Sequence, residues 1–116
     1  MPPEILKYLS DILQSIEDIE SYFSSGYNFY DYQSSKMLRR AVERELEIIG
    51  EAMGRALKFD AQLDIPEAKR VIALRNRVIH GYDSIDDVLV WSVVVNHLPA
   101  LKVKVKGLIS DSKPEN

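Results

Sequence analysis

Apolar residues near the start of the chain step by four, three, four, three and four positions: Ile5, Leu9, Ile12, Ile16, Ile19 and Phe23. That spacing predicts an amphipathic helix with its charged residues on the opposite face. Pro2 and Pro3 fit only at its start, and Gly26 is a natural C-terminal stop. The stretch from Gly26 to Ser35, rich in Tyr, Asn, Asp and Ser, reads as a loop or a frayed helix start. A second helix is expected from about Ser34–Ser35 to Lys58, with Leu38, Val42, Leu46, Ile49, Met53 and Ala56 on one face. Gly50 and Gly54 lie inside it, each weakening it by about 1 kcal/mol relative to Ala. Glycines so placed usually let another backbone approach closely.

Asp64 and Pro66 look like the cap and first turn of a third helix, which carries Val71, Ile72, Leu74, Val78 and Ile79 towards Gly81. Ser84, Ile85, Asp86 and Asp87 resemble a capping box opening a fourth helix with Val88, Trp91, Val95 and Leu98. Pro99 should kink that helix or begin a fifth, short one ending near Ile109. Ser110 to Asn116 is a polar tail expected to fray. Alternating strand patterns and long repeats do not occur. The expectation is a single all-α domain over residues 1–116, a bundle of four or five helices.

Composition narrows the function classes. The 116 residues fit one domain and contain no cysteine, which excludes disulfides, thiolate catalysis and Cys-ligated metals. The apolar runs are too short for a membrane span, and the N-terminus has no leader pattern, so a soluble, cytoplasmic protein is expected. Fifteen basic against eighteen acidic residues give a net charge of −3, so binding to a polyanion would require a local basic patch.

Two clusters are candidates for chemistry. Glu43, Glu47 and Glu51 form a row on the second helix, but Arg40, Arg44 and Arg55 intermix with them. No Glu stands three residues before His80 or His97, the spacing of bundle metal sites. The row therefore reads as a salt-bridged face, and neither metal nor cofactor is expected. The second cluster is the segment from Ala68 to Tyr82, which holds Lys69, Arg70, Arg75 and Arg77 and no acid. It could serve a phosphate backbone, or it could pair with Glu17, Asp18 and Glu20 of the first helix. Asn76 and His80 are four apart and share a helix face. Arg75 and His80 are five apart, about 140° around the helix. Either Arg75 reaches round on its long stem or a second subunit completes the site. His suits proton transfer to or from a ribose hydroxyl, and Arg offers a permanent forked charge for a phosphoryl group.

The run Arg75-Asn76-Arg77-Val78-Ile79-His80-Gly81-Tyr82 resembles the HEPN superfamily, whose ribonucleases carry an Arg-x(4–6)-His motif with a polar residue after the Arg. More narrowly it resembles the HepT toxins, with their Arg-x4-His-x-Tyr pattern, at Arg75, His80 and Tyr82. Supporting matches are Arg40 to Arg44, Leu46 to Ala52, Ile65-Pro66, Trp91 and Leu98-Pro99, so that the likeness covers about Ile5 to Leu108. Glu67 departs from the pattern, standing where an aromatic residue is expected.

The resemblance implies an up-down bundle that dimerises so that two Arg/His motifs flank one cleft. It implies metal-independent cleavage of RNA, with tRNA the expected substrate, and a role as the toxin of a type VII toxin–antitoxin pair. It also implies a cognate MntA-type nucleotidyltransferase that transfers AMP to Tyr82. On this reading His80 acts as general base or acid, Arg75 stabilises charge on phosphorus, and Asn76 holds His80 or a phosphate oxygen. Arg77, Lys69 and Arg70 would contact the RNA backbone. The alternatives are a non-catalytic HEPN module that docks a nucleotidyltransferase and contributes to its substrate site, and a structural homodimer with a basic groove.

Overall fold

The computed structural model describes residues 1–80 and 87–112, with the side chains of residues 77–80 outside that description. Within these limits the chain is entirely helical: α1 (Pro3–Tyr22), α2 (Phe29–Ser34), α3 (Lys36–Phe59), α4 (Ala68–His80), α5 (Asp87–Asn96) and α6 (Leu98–Asp111). The bundle is built around α3, which packs along α1 on one side, against α4 on another, and against the short α2. Helix α6 closes against α1 and α5.

The apolar periodicity of the first two expected helices becomes the core. Ile5, Leu9, Ile12, Ile16, Ile19 and Phe23 are all buried, as are Val42, Leu46, Ile49, Met53 and Ala56 of α3. Removing the apolar surface of each such side chain from water stabilises the fold by about 1.5–3 kcal/mol. Ser35 caps α3 by accepting a hydrogen bond from the Leu38 amide at 3.1 Å. The first helix stops at Tyr22, short of Gly26, whose φ of 111° turns the chain there.

Six helices are described where four or five were expected. The addition is α2, inside the stretch read as a loop. Asn28 caps it, accepting from the Asp31 amide at 3.1 Å, and Tyr32 drives it into the core. Phe23, Tyr27, Phe29 and Tyr32 surround Trp91 of α5, with ring centroids 5.4–6.0 Å from the indole. This aromatic packing joins the α1–α2 corner to α5 and supplies what six residues of local propensity could not.

Asp64 does not cap the expected third helix, α4. Its carboxylate pairs with Lys104 of α6 at 2.9 Å, and Pro66 sits in a turn before the helix begins at Ala68. Of the expected capping box at Ser84–Asp87, residues 84–86 lie outside the described residues, and Asp87 is the first residue of α5. Pro99 does break the chain between α5 and α6, which are bent by 45°. Lacking an amide hydrogen, it cannot continue the ladder of α5. Ser110 and Asp111, placed in the frayed tail by the sequence, belong to α6. No single described helix is long and apolar enough to cross a membrane.

One polar contact ties α1 to α3. The Tyr22 hydroxyl donates to Glu45 Oε2 at 2.7 Å, and Glu45 is buried. The phenol is pushed up to about 12, first by this hydrogen bond to the carboxylate and then by burial. Its ordinary value is 10.0, so folding favours the neutral phenol. The associated stability is complete below pH 10 and is lost as pH rises towards 12. Tyr22→Phe is expected to destabilise the protein by about 1–2 kcal/mol at neutral pH, because Glu45 loses its donor. Urea denaturation across pH 7 to 11.5 should show the gap between wild type and variant closing above pH 10.

Candidate functional site: the outer face of α4

Helix α4 exists because Val71 and Leu74 turn inward, and Ala68 seals its first turn. The same periodicity leaves Lys69, Arg70, Ala73 and Asn76 exposed on the outer face. Position 80 falls on that stripe, seven residues beyond Ala73 and four beyond Asn76. Tyr82 lies outside the described residues, as do the side chains of Arg77 and His80. Of the expected site, the structure therefore gives Arg75, Asn76, Lys69 and Arg70 in full.

Arg75 is held at the crossing of α3 and α4. A Cβ built on Gly50 would lie 2.3 Å from Arg75 Cβ, 2.7 Å from its Cγ and 3.3 Å from the Val71 carbonyl oxygen. No side chain fits there, and only glycine lets the stem of Arg75 lie against the α3 backbone. Gly54, one turn further on, has nothing within 4 Å, so the close approach expected of both glycines occurs at one. From this anchorage the guanidinium curls towards the exposed face, where a terminal nitrogen donates to Asn76 Oδ1 at 3.2 Å. The long-stem route around the helix is therefore used as far as Asn76.

The Arg75 Nε is buried and has no hydrogen-bond partner among the described residues. A buried unsatisfied donor costs roughly 1–3 kcal/mol, so it marks a place where packing has overruled local satisfaction. The head group retains further donors for an anion, in the forked geometry that suits phosphate.

Among the described residues, Lys69, Arg70 and Arg75 make no ion pair with α1. Glu20 instead binds Lys102 at 2.8 Å, and Asp18 accepts from Gln14. Lys69 has no ion pair among the described residues. Arg70 belongs to a cluster that sequence reasoning missed: one guanidinium nitrogen lies 2.9 Å from His97 Nδ1 and 2.5 Å from Nε2. Closeness to both ring nitrogens sets it against the ring face. His97 Nδ1 is in turn 3.1 Å from Glu67 Oε2. Glu67 and Arg70 are three apart on the approach to α4, a visible signal, but His97 comes from the α5–α6 junction and only the fold adds it. Beside this cluster, a groove of about 530 Å³ opens between α4 and α5, with Lys69 and Arg70 at its lip.

The carboxylate row on α3 is salt-bridged as expected. Arg40 meets Glu43 at 3.6 Å, Arg44 meets Glu47 at 3.4 Å, and Arg55 meets Glu51 at 2.8 Å. Burial pushes the Glu43 carboxyl up, against the opposing pull of Arg40. Among the described residues, no group of three or more acids and histidines is placed to hold a metal.

The family model described as ribonuclease HepT-like matches residues 12–108. A provisionally named RNase of Methanocaldococcus jannaschii is 36% identical over 105 residues, covering 89% of this chain and 94% of that protein. A second protein of that organism, also provisionally named an RNase, is 30% identical and covers 97% of this chain and 93% of its own length. A provisionally named ribonuclease HepT of Thermococcus cleftensis is 36% identical, covering 87% of this chain and 92% of its own. No solved structure is significantly similar to the chain.

The Gly50 contact yields a paired test. Gly54→Ala should stabilise the protein by up to about 1 kcal/mol through helix propensity alone. Gly50→Ala gains the same propensity but forces α3 and α4 apart, with a steric cost of about 1–3 kcal/mol. Thermal denaturation should therefore move in opposite directions for the two variants.

Proposed function

The chain belongs to the ribonuclease HepT-like family, and on that footing we propose that it is a metal-independent endoribonuclease acting on tRNA, the toxin of a toxin–antitoxin pair. The observation that carries this reading is the anchorage of Arg75. Its stem is fixed against Gly50, its guanidinium is turned to Asn76 on the outer stripe of α4, and it keeps donors for a phosphoryl group. His80 exchanges a proton with the 2′-hydroxyl or the leaving oxygen, while Arg75 stabilises the charge developing on phosphorus. Asn76, already bonded to Arg75, keeps its amide donors for a phosphate oxygen. Lys69, Arg70 and Arg77 contribute phosphate contacts along the helix.

We further propose that the active form is a homodimer. Val88 is 64% exposed and Val95 37% exposed on α5, whose sequence is apolar on every side. A helix with that composition belongs in an interior, and a second copy related by a two-fold axis supplies one.

Arg75→Ala should lower the cleavage rate about 10²–10³-fold, and His80→Ala about 10²–10⁴-fold. Circular dichroism of both variants should stay helical, and wild-type cleavage should persist in EDTA. Variants that cleave like wild type would place the catalytic groups elsewhere, and wild-type protein that cleaves no RNA would favour a non-catalytic module that docks a nucleotidyltransferase.

Neutralisation is proposed to occur by AMP transfer from ATP to the Tyr82 hydroxyl, releasing pyrophosphate, catalysed by an MntA-type nucleotidyltransferase. The added phosphate would pair with Arg75 and occupy the volume that an RNA phosphate needs. Intact-mass spectrometry after co-expression with that enzyme should show adenylyl increments on wild type and none on Tyr82→Phe. Increments mapping to Tyr22, Tyr27, Tyr30 or Tyr32 would assign the modification elsewhere.

A further inference from the structure

The apolar interior of the groove between α4 and α5 has no role in the chemistry just described. Its volume of about 530 Å³ lies within the range of sites that enclose small ligands. Its wall includes Ala73, Leu74, Leu89 and Val93, and its charged lining is Lys69, Arg70 and Glu67, the last engaged by His97 at 3.1 Å. An apolar slot closed by cations at one edge suits a flat, weakly polar body carrying an anionic group.

The lip is a built feature. Arg70, although exposed, is held against the His97 ring, and His97 is held by Glu67. Fixing a long side chain in this way removes in advance part of the ordering entropy that anion binding would otherwise cost. Lys69, by contrast, has no ion pair among the described residues and remains available to a phosphate.

The groove also lies on the right face. Ala73 in its wall and Asn76 beyond it belong to one exposed stripe of α4, and the helical period brings the backbone at position 80 into the same register. From Ala73 to position 80 is about 10 Å along the helix axis. An RNA strand drawn over Asn76 towards His80 therefore passes the groove.

We propose that this groove seats one unpaired nucleotide of the RNA, flanking the cleavage point. Its base lies against Ala73, Leu74, Leu89 and Val93, and its phosphate meets Lys69 and Arg70. The proposal rests on the ribonuclease reading and deepens it, because it makes the substrate a single-stranded region whose bases can be splayed from the stack.

Two measurements on the full-length protein test it. NMR titration with 5′-AMP, adenosine and inorganic phosphate should show saturable AMP shifts at Ala73, Leu74, Leu89 and Val93. Phosphate alone should not reproduce them. Ala73→Trp, which fills the groove from an exposed helix position, should abolish them, whereas Met37→Trp on the far exposed surface of α3 should not. In the double variant Lys69→Ala with Arg70→Ala, AMP should bind no better than adenosine. In cleavage assays, Ala73→Trp should raise the KM for RNA about tenfold.

Wild-type protein that cleaves RNA but shows no AMP shifts in the groove, or the same shifts with phosphate alone, would overturn the inference and leave the ribonuclease reading intact. AMP shifts in a protein that cleaves no RNA would do the reverse, upholding a nucleotide seat while removing the proposed reaction. If Ala73→Trp converts a dimer to a monomer in sedimentation and AMP has no effect, the groove is a subunit contact and the inference fails.

Discussion

The contact between Gly50 and Arg75 sets the geometry from which the rest of this site follows. Where α4 crosses α3, the missing Cβ of Gly50 brings the two helices close enough for an arginine stem to lie against backbone. That approach buries Arg75 Nε, which has no partner among the described residues, and directs the terminal guanidinium nitrogen to Asn76. A cation that would sweep freely on an isolated helix is thereby confined, and a confined cation loses less entropy when it meets a phosphate. The rigidity of α3 is part of the same arrangement. Ser35 caps its start, the apolar seam of α1 runs along it, and Tyr22 reaches across to Glu45.

Electrostatics divide the molecule by element. Net charge is −3, and several of the acids are occupied locally: three on α3 by neighbouring arginines, Glu20 by Lys102 and Asp64 by Lys104. The exposed pairs contribute little stability individually, since solvent screens them. Their larger consequence is the field they leave behind. With those carboxylates facing their own cations, Lys69 and Arg70 on α4 present positive charge at short range, which an acidic average conceals.

Helix α5 follows a different constraint. Its sequence offers apolar residues on all sides, and the fold must choose which to cover. Val90, Val93 and Val94 are buried, while Val88 and Val95 remain on the surface. The choice is made by Trp91, drawn into the ring of Phe23, Tyr27, Phe29 and Tyr32, and by the break at Pro99 that swings α6 across the bundle. The exposed valines, Lys69 and Arg70, and the α4–α5 groove thus come to lie on the two helices that follow α3.

The sequence by itself determined the helical class, the buried seams of α1 and α3 and the salt-bridged row of α3, because each is written in spacing along one helix, and the Arg75–His80–Tyr82 motif is legible in residue identity and order alone. Side chains three or four residues apart share a face whatever surrounds them. Tertiary structure decided the features that depend on residues distant in the chain. Six residues at Phe29–Ser34 become helical because Trp91 of α5 packs against them. Asp64 leaves its expected cap for Lys104, forty residues away. Gly50 and Gly54 look alike in the sequence, and only the path of α4 gives the first a neighbour and the second none. His97 joins Glu67 and Arg70 for the same reason: a helix period fixes which way a residue faces, but only the packing of helices determines what it meets.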